Sequence, residues 1–376
     1  YLVWEGMAMD KFEMCVPCIF GLEGIAGDEL RRMGMENVRV ENGRVFFEGG
    51  RNELARANIC LATGERVLLL VGKFRAETFE ELFQGTMALP WEEYIPQDAQ
   101  FPVKGSNIDS KLFSMSDCQK IIKKAVVERL RKKYRKTGWF EETGEKYQIQ
   151  FAMMSDIAYL YLDTSGPGLH KRGYRAVSNV APLKETLAAG MVRIARYRGR
   201  EAVRDPFCGS GTIPIEAAFA ALNRAPGLMR RFSAMDWRWL GEDVFKEEKI
   251  RARDLEYRGD YDIWGGDIDP RCVDIALDNA KKAGVGNIIH FETADAAGYS
   301  MPGTVITNPP YGERIMEKKD AERLYRLFGK ALFKIPDFKA YILSSHTEFE
   351  RTFGRTAVKK RKLYNGMIKC DLFMYF

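Results

Sequence analysis

From Phe12 to Phe20 apolar and polar residues alternate, which fits a strand. From Leu22 to Met33 the apolar positions Ile25, Leu30 and Met33 return with helical spacing. Val38 to Phe47 alternates again on both sides of Asn42-Gly43, a pair whose tolerance of positive φ suits a two-residue hairpin turn. A helix from Asn52 to Ala62 and a strand from Val67 to Val71 complete a β-α-β-β-α-β order. The next segment begins with a helix carrying Phe79, Leu82, Phe83 and Met87, turns at Pro90, and enters a strand near Gln100 to Lys104. Ser116-Asp117-Cys118-Gln119 has the form of a capping box, so a helix is predicted from Asp117 to about Tyr134, with Ile122, Val126 and Leu130 inward. Lys146 to Met153 and Ile157 to Leu162 read as paired strands.

Ser165-Gly166-Pro167-Gly168 breaks the pattern and marks the domain boundary. Pro182-Leu183-Lys184-Glu185-Thr186 then opens a helix running to Arg196. Beyond it strands and helices alternate, the order of an α/β domain with a mostly parallel sheet. Ala202-Val203-Arg204, Ile263 to Gly266, Ile288 to Phe291 and Thr304 to Thr307 read as strands, each ending in a chemically distinctive loop. Tyr341 to Ser344 is a further strand, and Lys362-Leu363-Tyr364, Asn365-Gly366 and Met367 to Tyr375 form a closing hairpin. The carboxyl ends of such strands are where open α/β sheets place their ligands.

The loop chemistry is specific. Asp205-Pro206-Phe207-Cys208-Gly209-Ser210-Gly211-Thr212 joins a strand to the helix Ile213 to Leu222. Its glycines allow close backbone approach and the helix start offers free N–H groups. A dinucleotide site would want GxGxxG, and the spacing stops at Gly209-Ser210-Gly211. Asp267-Ile268-Asp269-Pro270 precedes the helix Arg271 to Ala283; Asp267 is placed to accept two ribose hydroxyls, and Asp269 to cap the helix. Asn308-Pro309-Pro310-Tyr311-Gly312-Glu313-Arg314 cannot continue its strand, because successive prolines lack N–H groups. Asn308 and Pro309 can present two adjacent carbonyl acceptors, which suit a planar amino group, and Tyr311 offers a face for stacking a base.

The Asp-Pro-Phe-Cys-Gly-Ser-Gly-Thr loop resembles motif I of amino-methylating enzymes that use S-adenosylmethionine (SAM), and Asn-Pro-Pro-Tyr resembles their target-binding motif. The resemblance implies a class I methyltransferase domain over residues 166–376, with the reversed last strand of that fold. It implies Ile268 packing on adenine, Asp295 of Ala294-Asp295-Ala296 accepting from the adenine amino group with Ala296 beside it, and Asn308 closing the cofactor site. Residues 10–70 resemble a ferredoxin-like domain and 71–165 a THUMP domain, a module that binds RNA. The Asn223 to Tyr261 insertion, the Asn-Pro-Pro-Tyr-Gly-Glu-Arg wording and the closing Lys-Leu-Tyr-Asn-Gly together resemble the RlmL-type guanine-N2 methyltransferases of 23S rRNA and their stand-alone relatives.

Composition narrows the partners. The chain of 376 residues, 46% hydrophobic and 29% charged, fits two or three globular domains. No run is apolar enough to span a bilayer and no signal peptide opens the chain, so a cytoplasmic location without a membrane partner is expected. The net charge of +6 permits a polyanionic partner without requiring one. Lys120, Lys123, Lys124, Arg131, Lys132 and Arg135 lie opposite the apolar side of their helix; such a face is either solvated surface or, as the THUMP resemblance implies, an RNA contact. Cys15-Val16-Pro17-Cys18 lacks a second ligand pair, so buried thiols rather than a metal site are expected. The insertion holds Pro226 to Phe232 and Trp237-Arg238-Trp239, which fits either a surface excursion or an RNA contact.

The expected activity is SAM-dependent methylation of an exocyclic amino nitrogen, guanine N2 of 23S rRNA, with Asn308, Pro309, Pro310 and Tyr311 at the reacting centre. A tRNA guanine, a DNA adenine or a protein glutamine would suit the same two motifs. A non-catalytic RNA-binding assembly factor would instead lack affinity for SAM.

Overall fold

The computed structural model describes residues 11–175, 183–311 and 318–376. Tyr1 to Ala8, the Pro182 helix start, and Gly312, Glu313 and Arg314 therefore lie outside the described residues.

The amino-terminal half is β1 (Phe12–Pro17), α1 (Glu23–Arg32), β2 (Glu36–Glu41), β3 (Arg44–Gly49), α2 (Arg51–Cys60), β4 (Leu68–Arg75), α3 (Phe79–Ala88), β5 (Val103–Ile108), α4 (Met115–Tyr134), β6 (Ile149–Met154) and β7 (Ile157–Asp163). The expected break near residue 70 falls inside β4. That strand pairs with β1 at Leu68 and Leu69 and with β7 from Leu68 to Arg75. The result is one seven-stranded sheet in the order β2-β3-β1-β4-β7-β6-β5. Helix α4 begins two residues before the predicted start. Ser114 is its N-cap and donates to Asp117 Oδ2 at 2.6 Å, so the box expected at Ser116 is not used.

The carboxyl-terminal half is α5 (Glu185–Ile194), β8 (Val203–Asp205), α6 (Thr212–Leu222), α7 (Glu242–Asp254), β9 (Ile263–Asp267), α8 (Pro270–Lys282), β10 (Ile289–Thr293), β11 (Thr304–Thr307), α9 (Lys318–Leu332), β12 (Lys339–Ser344), α10 (Phe349–Phe353), β13 (Lys359–Asn365) and β14 (Ile368–Tyr375). Its sheet runs β10-β9-β8-β11-β12-β14-β13, and β14 alone is reversed, lying antiparallel to both neighbours. This is the mixed sheet that the methyltransferase resemblance implied. The buried strands are short and apolar, and their carboxyl ends open on one edge. Among the described residues no helix is long and apolar enough to cross a membrane.

The insertion corrects both readings of it. The rings it was expected to present, Phe232, Trp237 and Trp239, pack on the amino-terminal core instead of facing RNA, while Tyr257 stays exposed. Trp237 and Phe245 are fully buried and Phe232 nearly so, all within the cluster that also contains Phe47, Trp91 and Phe101. Trp237 stacks on Tyr147 with centroids 4.9 Å apart and donates its indole N–H to the Lys146 carbonyl at 3.0 Å. Helix α7 lies on α2, where Arg56 forks onto Glu248 with two bonds of 2.9 Å. Gly227 lets the two backbones meet: a Cβ there would stand 2.8 Å from the Ile59 Cα and carbonyl oxygen. Arg238 is held by Asp98 and Glu145. Residues 223–261 thus strap the first sheet to the catalytic one.

Arg172 makes a second tie. Wholly buried, it reaches the Ala62 carbonyl at 2.6 Å, the Leu169 carbonyl at 2.8 Å and Glu216 of α6 at 3.2 Å. A buried guanidinium is tolerable only when its donors are satisfied in this way.

Candidate active site

Strand β8 carries Asp205 to the sheet edge, and Pro206 to Gly211 turn over the start of α6. Gly209 and Gly211 both have positive φ, +51° and +79°. The two glycines do different work. A Cβ on Gly211 would stand 2.9 Å from that of Ala276, whereas at Gly209 nothing among the described residues lies within 4 Å. The turn is pinned from neighbouring elements: Cys208 N–H donates to the Gly266 carbonyl at 2.9 Å, and Asn279 of α8 donates to the Ser210 carbonyl at 3.0 Å. Arg175 donates to Thr212 Oγ1 at 2.5 Å and so braces this turn. Cys208 is buried, and that burial pushes its thiol well up.

Asp205 is buried in a manner that calls for a partner. Oδ1 accepts from Thr307 Oγ1 at 2.6 Å and from the Phe207 N–H at 3.2 Å, while among the described residues Oδ2 has no partner. Burial pushes its pKa up to about 7, offset in part by those two bonds. Asp267 at the end of β9 accepts from the Gly209 N–H and the Asp269 N–H, each at 3.0 Å, and burial raises its pKa against those bonds. Asp269 caps α8 through the Arg271 N–H at 2.9 Å, ahead of Pro270. Ile268 is 70% exposed, an aliphatic side chain left in the open at the sheet edge. Asp295 accepts from the Ala297 N–H at 2.9 Å, which turns the chain just after β10 and leaves its other oxygen available.

These residues line one cavity of about 630 Å³. Asp205 to Ser210, Thr212, Asp267, Ile268, Asp295, Ala296 and Asn308 to Tyr311 all border it; among the sequence-predicted cofactor residues only Gly211 does not, being packed beneath the turn. The cavity also meets Lys184, Leu324 and the tip of the β13–β14 hairpin, which the strand-end motifs did not anticipate. Its donor set fits a nucleoside bearing a cationic chain. Two carboxylates at strand ends can accept hydroxyls or an amine, Ile268 offers an apolar face, and the orphan Asp205 oxygen offers a negative charge.

At the Asn-Pro-Pro-Tyr loop the Tyr311 hydroxyl donates to Asn308 Oδ1 in a short bond, and the Cys370 thiol donates to that hydroxyl at 3.7 Å. Tyr311 packs on the catalytic core, and burial pushes its phenol well up. Its ring leans inward here, while an amide oxygen with two lone pairs keeps one for another donor. Tyr325 of α9 donates to the Pro310 carbonyl at 2.5 Å, which fixes the double proline. Among the described residues no donor reaches the Pro309 carbonyl. Thr307 and Tyr325 are site residues that motif reading missed; Tyr325 carried only the signal of a buried position on an amphipathic helix.

The basic face of α4 is divided. Lys120, Lys124, Lys132 and Arg135 are exposed. Lys123 is not available: it donates to the Phe101 carbonyl at 3.1 Å and to Glu142 at 2.6 Å, and burial pushes its ammonium down against the Glu142 bond. Arg131 is half-buried on Glu128 at 3.1 Å. Both were expected on the RNA side; the partners that withdraw Lys123 lie in segments distant in sequence.

Family comparison agrees with this layout. The RlmL ferredoxin-like domain matches residues 13–68, the THUMP domain 76–163, and the RMKL-like methyltransferase domain 172–373. The Putative RNA methyltransferase YpsC of Bacillus subtilis is 42% identical across 98% of this chain and 97% of its own. The ribosomal RNA large subunit methyltransferase K/L of Psychromonas ingrahamii is 34% identical over 96% of this chain, which spans only 49% of that longer protein. Among solved structures, SMU.472, described as a putative methyltransferase complexed with SAH, superposes with a TM-score of 0.92 at 38% identity, covering 98% of both chains. A protein from Listeria monocytogenes, described as a predicted N6-adenine-specific DNA methylase, also gives 0.92, at 44% identity over 98% of this chain and 97% of its own. TrmN from Thermus thermophilus, at 19% identity and a TM-score of 0.69, shares the fold. The chain belongs to the RlmL-like methyltransferase family, with RlmL-type ferredoxin-like and THUMP domains preceding a SAM-dependent catalytic domain.

Proposed function

We propose that the protein is an RNA methyltransferase acting on an exocyclic amino nitrogen, guanine N2 of large-subunit 23S rRNA. The observation that carries this reading is the placement of Asn308 and the Pro309 carbonyl, unengaged among the described residues, on the wall of the same cavity as the Asp205, Asp267 and Asp295 strand ends. Asp205 to Ser210, Thr212, Asp267, Ile268, Asp295 and Ala296 would hold SAM, with Asn308 closing the site and Gly211 shaping the turn beneath it. When bound, SAM supplies an electrophilic methyl group on a sulfonium.

An aryl amino group is a weak nucleophile because its lone pair is delocalised into the ring. Asn308 Oδ1 and the Pro309 carbonyl would accept its two N–H bonds, orient it, and draw the lone pair out of conjugation. For this the Tyr311 hydroxyl shares or yields Asn308 Oδ1, and the released ring can stack on the extruded base. No strong base is needed beforehand, since the nitrogen becomes acidic once methylated.

The THUMP match and the names of the YpsC and K/L relatives support RNA as substrate, and the K/L name supports the large-subunit RNA. The name given to the Listeria relative favours a second reading, since two carbonyl acceptors would also hold adenine N6. Incubation with labelled SAM, unmodified total RNA and DNA, followed by size fractionation and nucleoside mass spectrometry, separates them. N2-methylguanosine in the large rRNA is expected. The same nucleoside in tRNA would change the substrate, and N6-methyladenine in DNA would replace the reading.

Two further outcomes are expected. Asp205 is largely protonated below about pH 7 in the free protein, instead of near its ordinary 3.8, so its ionisation is disfavoured by folding across that interval. A cation in the cavity favours the carboxylate, and binding below pH 7 must expel the proton. SAM affinity measured by calorimetry should therefore rise as pH increases toward 7 and level off above it. Asp205→Asn should flatten the curve, and a flat wild-type profile would remove Asp205 from the cofactor's surroundings. For RNA, replacing Lys120, Lys124 and Lys132 together by Gln should lower the slope of log affinity against log salt by about 2. Lys123→Gln should alter stability more than that slope.

A further inference from the structure

The β13–β14 hairpin has features that neither cofactor binding nor edge protection explains. Asn365 pairs with Ile368, so the turn itself is Gly366-Met367, with Gly366 at a φ of +65°. Such turns are ordinarily filled by small polar residues. Met367 is instead 98% exposed, and with Asn365, Gly366 and Ile368 it borders the cavity that contains Asn308 and Tyr311. Behind the tip, Lys362, Tyr364 and Lys369 share one face with Asp371, since Tyr364 pairs with Lys369 and Lys362 with Asp371. Both lysines are exposed, and among the described residues neither has an ion-pair partner, whereas Lys360 is bound to Glu350 at 2.7 Å. Lysines on an edge strand guard against unwanted pairing. That accounts for β13, which is the edge, but not for Lys369 on the inner strand or for the methionine.

The hairpin is also braced. A Cβ on Gly21 would stand 2.4 Å from the Lys362 carbonyl oxygen, so the two backbones are in close contact. Phe20 meets the Tyr364 ring edge-on at 6.1 Å. The arm thus rests on the turn after β1 and can bear load.

We propose that this hairpin is the arm that opens folded RNA over the cavity, with Met367 entering the base stack beside the target nucleotide and Lys362 and Lys369 holding the flanking phosphates. This inference rests on the RNA reading above. A base paired or stacked within folded RNA must leave its neighbours to bring its amino group to Asn308. An unbranched, polarisable apolar side chain fills the gap left behind and prevents its return. No bond is made or broken by the arm.

The test uses the full chain with SAM and two probes: intact unmodified large-subunit rRNA, and the same rRNA cut into fragments too short to pair stably. Wild-type methylation of the fragments as well as of the intact RNA establishes the RNA reading by itself. Met367→Ala should lose on the order of tenfold in kcat/KM on intact rRNA and about twofold or less on fragments, because unstacking by a few kcal/mol is needed only in the first. Met367→Leu should restore most of the loss. Lys362→Gln with Lys369→Gln should raise KM for both probes and reduce the salt dependence by about two phosphate contacts. Equal loss of Met367→Ala on both probes, or no loss on either while the wild type is active, would overturn the inference. No RNA methylation by the wild type would overturn the RNA reading, and the inference with it.

Discussion

Asn308→Ala should reduce kcat by on the order of 10²–10³, the scale seen when a preorganised polar group at a reacting centre is removed, while SAM affinity stays within a few-fold of wild type. The asymmetry follows from the environment of the side chain. In the free protein Asn308 Oδ1 receives the Tyr311 hydroxyl, and the turn that would hold the cofactor is pinned by Gly266 and Asn279 instead. Removing the amide takes one of the two acceptors from the target amine and leaves that turn in place. Single-turnover methylation together with calorimetric SAM binding reads both quantities. Equal loss of the two would mean that Asn308 holds the cofactor rather than the target.

Trp237→Ala is expected to be the most damaging substitution away from the cavity, at about 3–5 kcal/mol, the cost of emptying a buried aromatic site. The residue is fully buried, stacks on Tyr147 and satisfies the Lys146 carbonyl, so truncation leaves both a void and an unpaired acceptor. The loss should appear first as separation of the amino-terminal sheet from the catalytic domain. In urea, a single unfolding transition should become two, followed by far-ultraviolet signal and by SAM binding. Trp237→Phe should keep the stack, lose the hydrogen bond and fall between the two. One transition at an unchanged midpoint would show that the strap carries no load.

Local chemistry was legible in the sequence where a loop's composition dictates its own geometry. Gly209 and Gly211 need positive φ, Asp269 before Pro270 is a cap, and consecutive prolines end a strand whatever surrounds them. Those signals brought Asp205, Asp267, Asp295 and Asn308 to one sheet edge, and the structure places all four on one cavity. What could not be read depends on partners distant in the chain. Lys123 looked like a free cation until Glu142 and the Phe101 carbonyl took it, and the insertion's tryptophans looked exposed until Phe12, Tyr94 and Tyr147 covered them. The continuous sheet was likewise hidden, because β4 pairs on one side with β1 and on the other with β7, some ninety residues later. Periodicity predicts that a strand exists, not which strand lies beside it.

The strap over residues 223–261 makes the two halves behave as a caliper. With β1 to β7 locked to the catalytic sheet through α7, Trp237 and Arg172, the span from the exposed lysines of α4 to the cavity is set by packed side chains instead of by the slack of a linker. Under the RNA reading proposed above, a nucleic acid held at the α4 lysines would meet the cavity at a fixed reach, without the loss in local concentration that a flexible tether imposes. Selection of a site can then come from its distance to a grip point as much as from the bases around it.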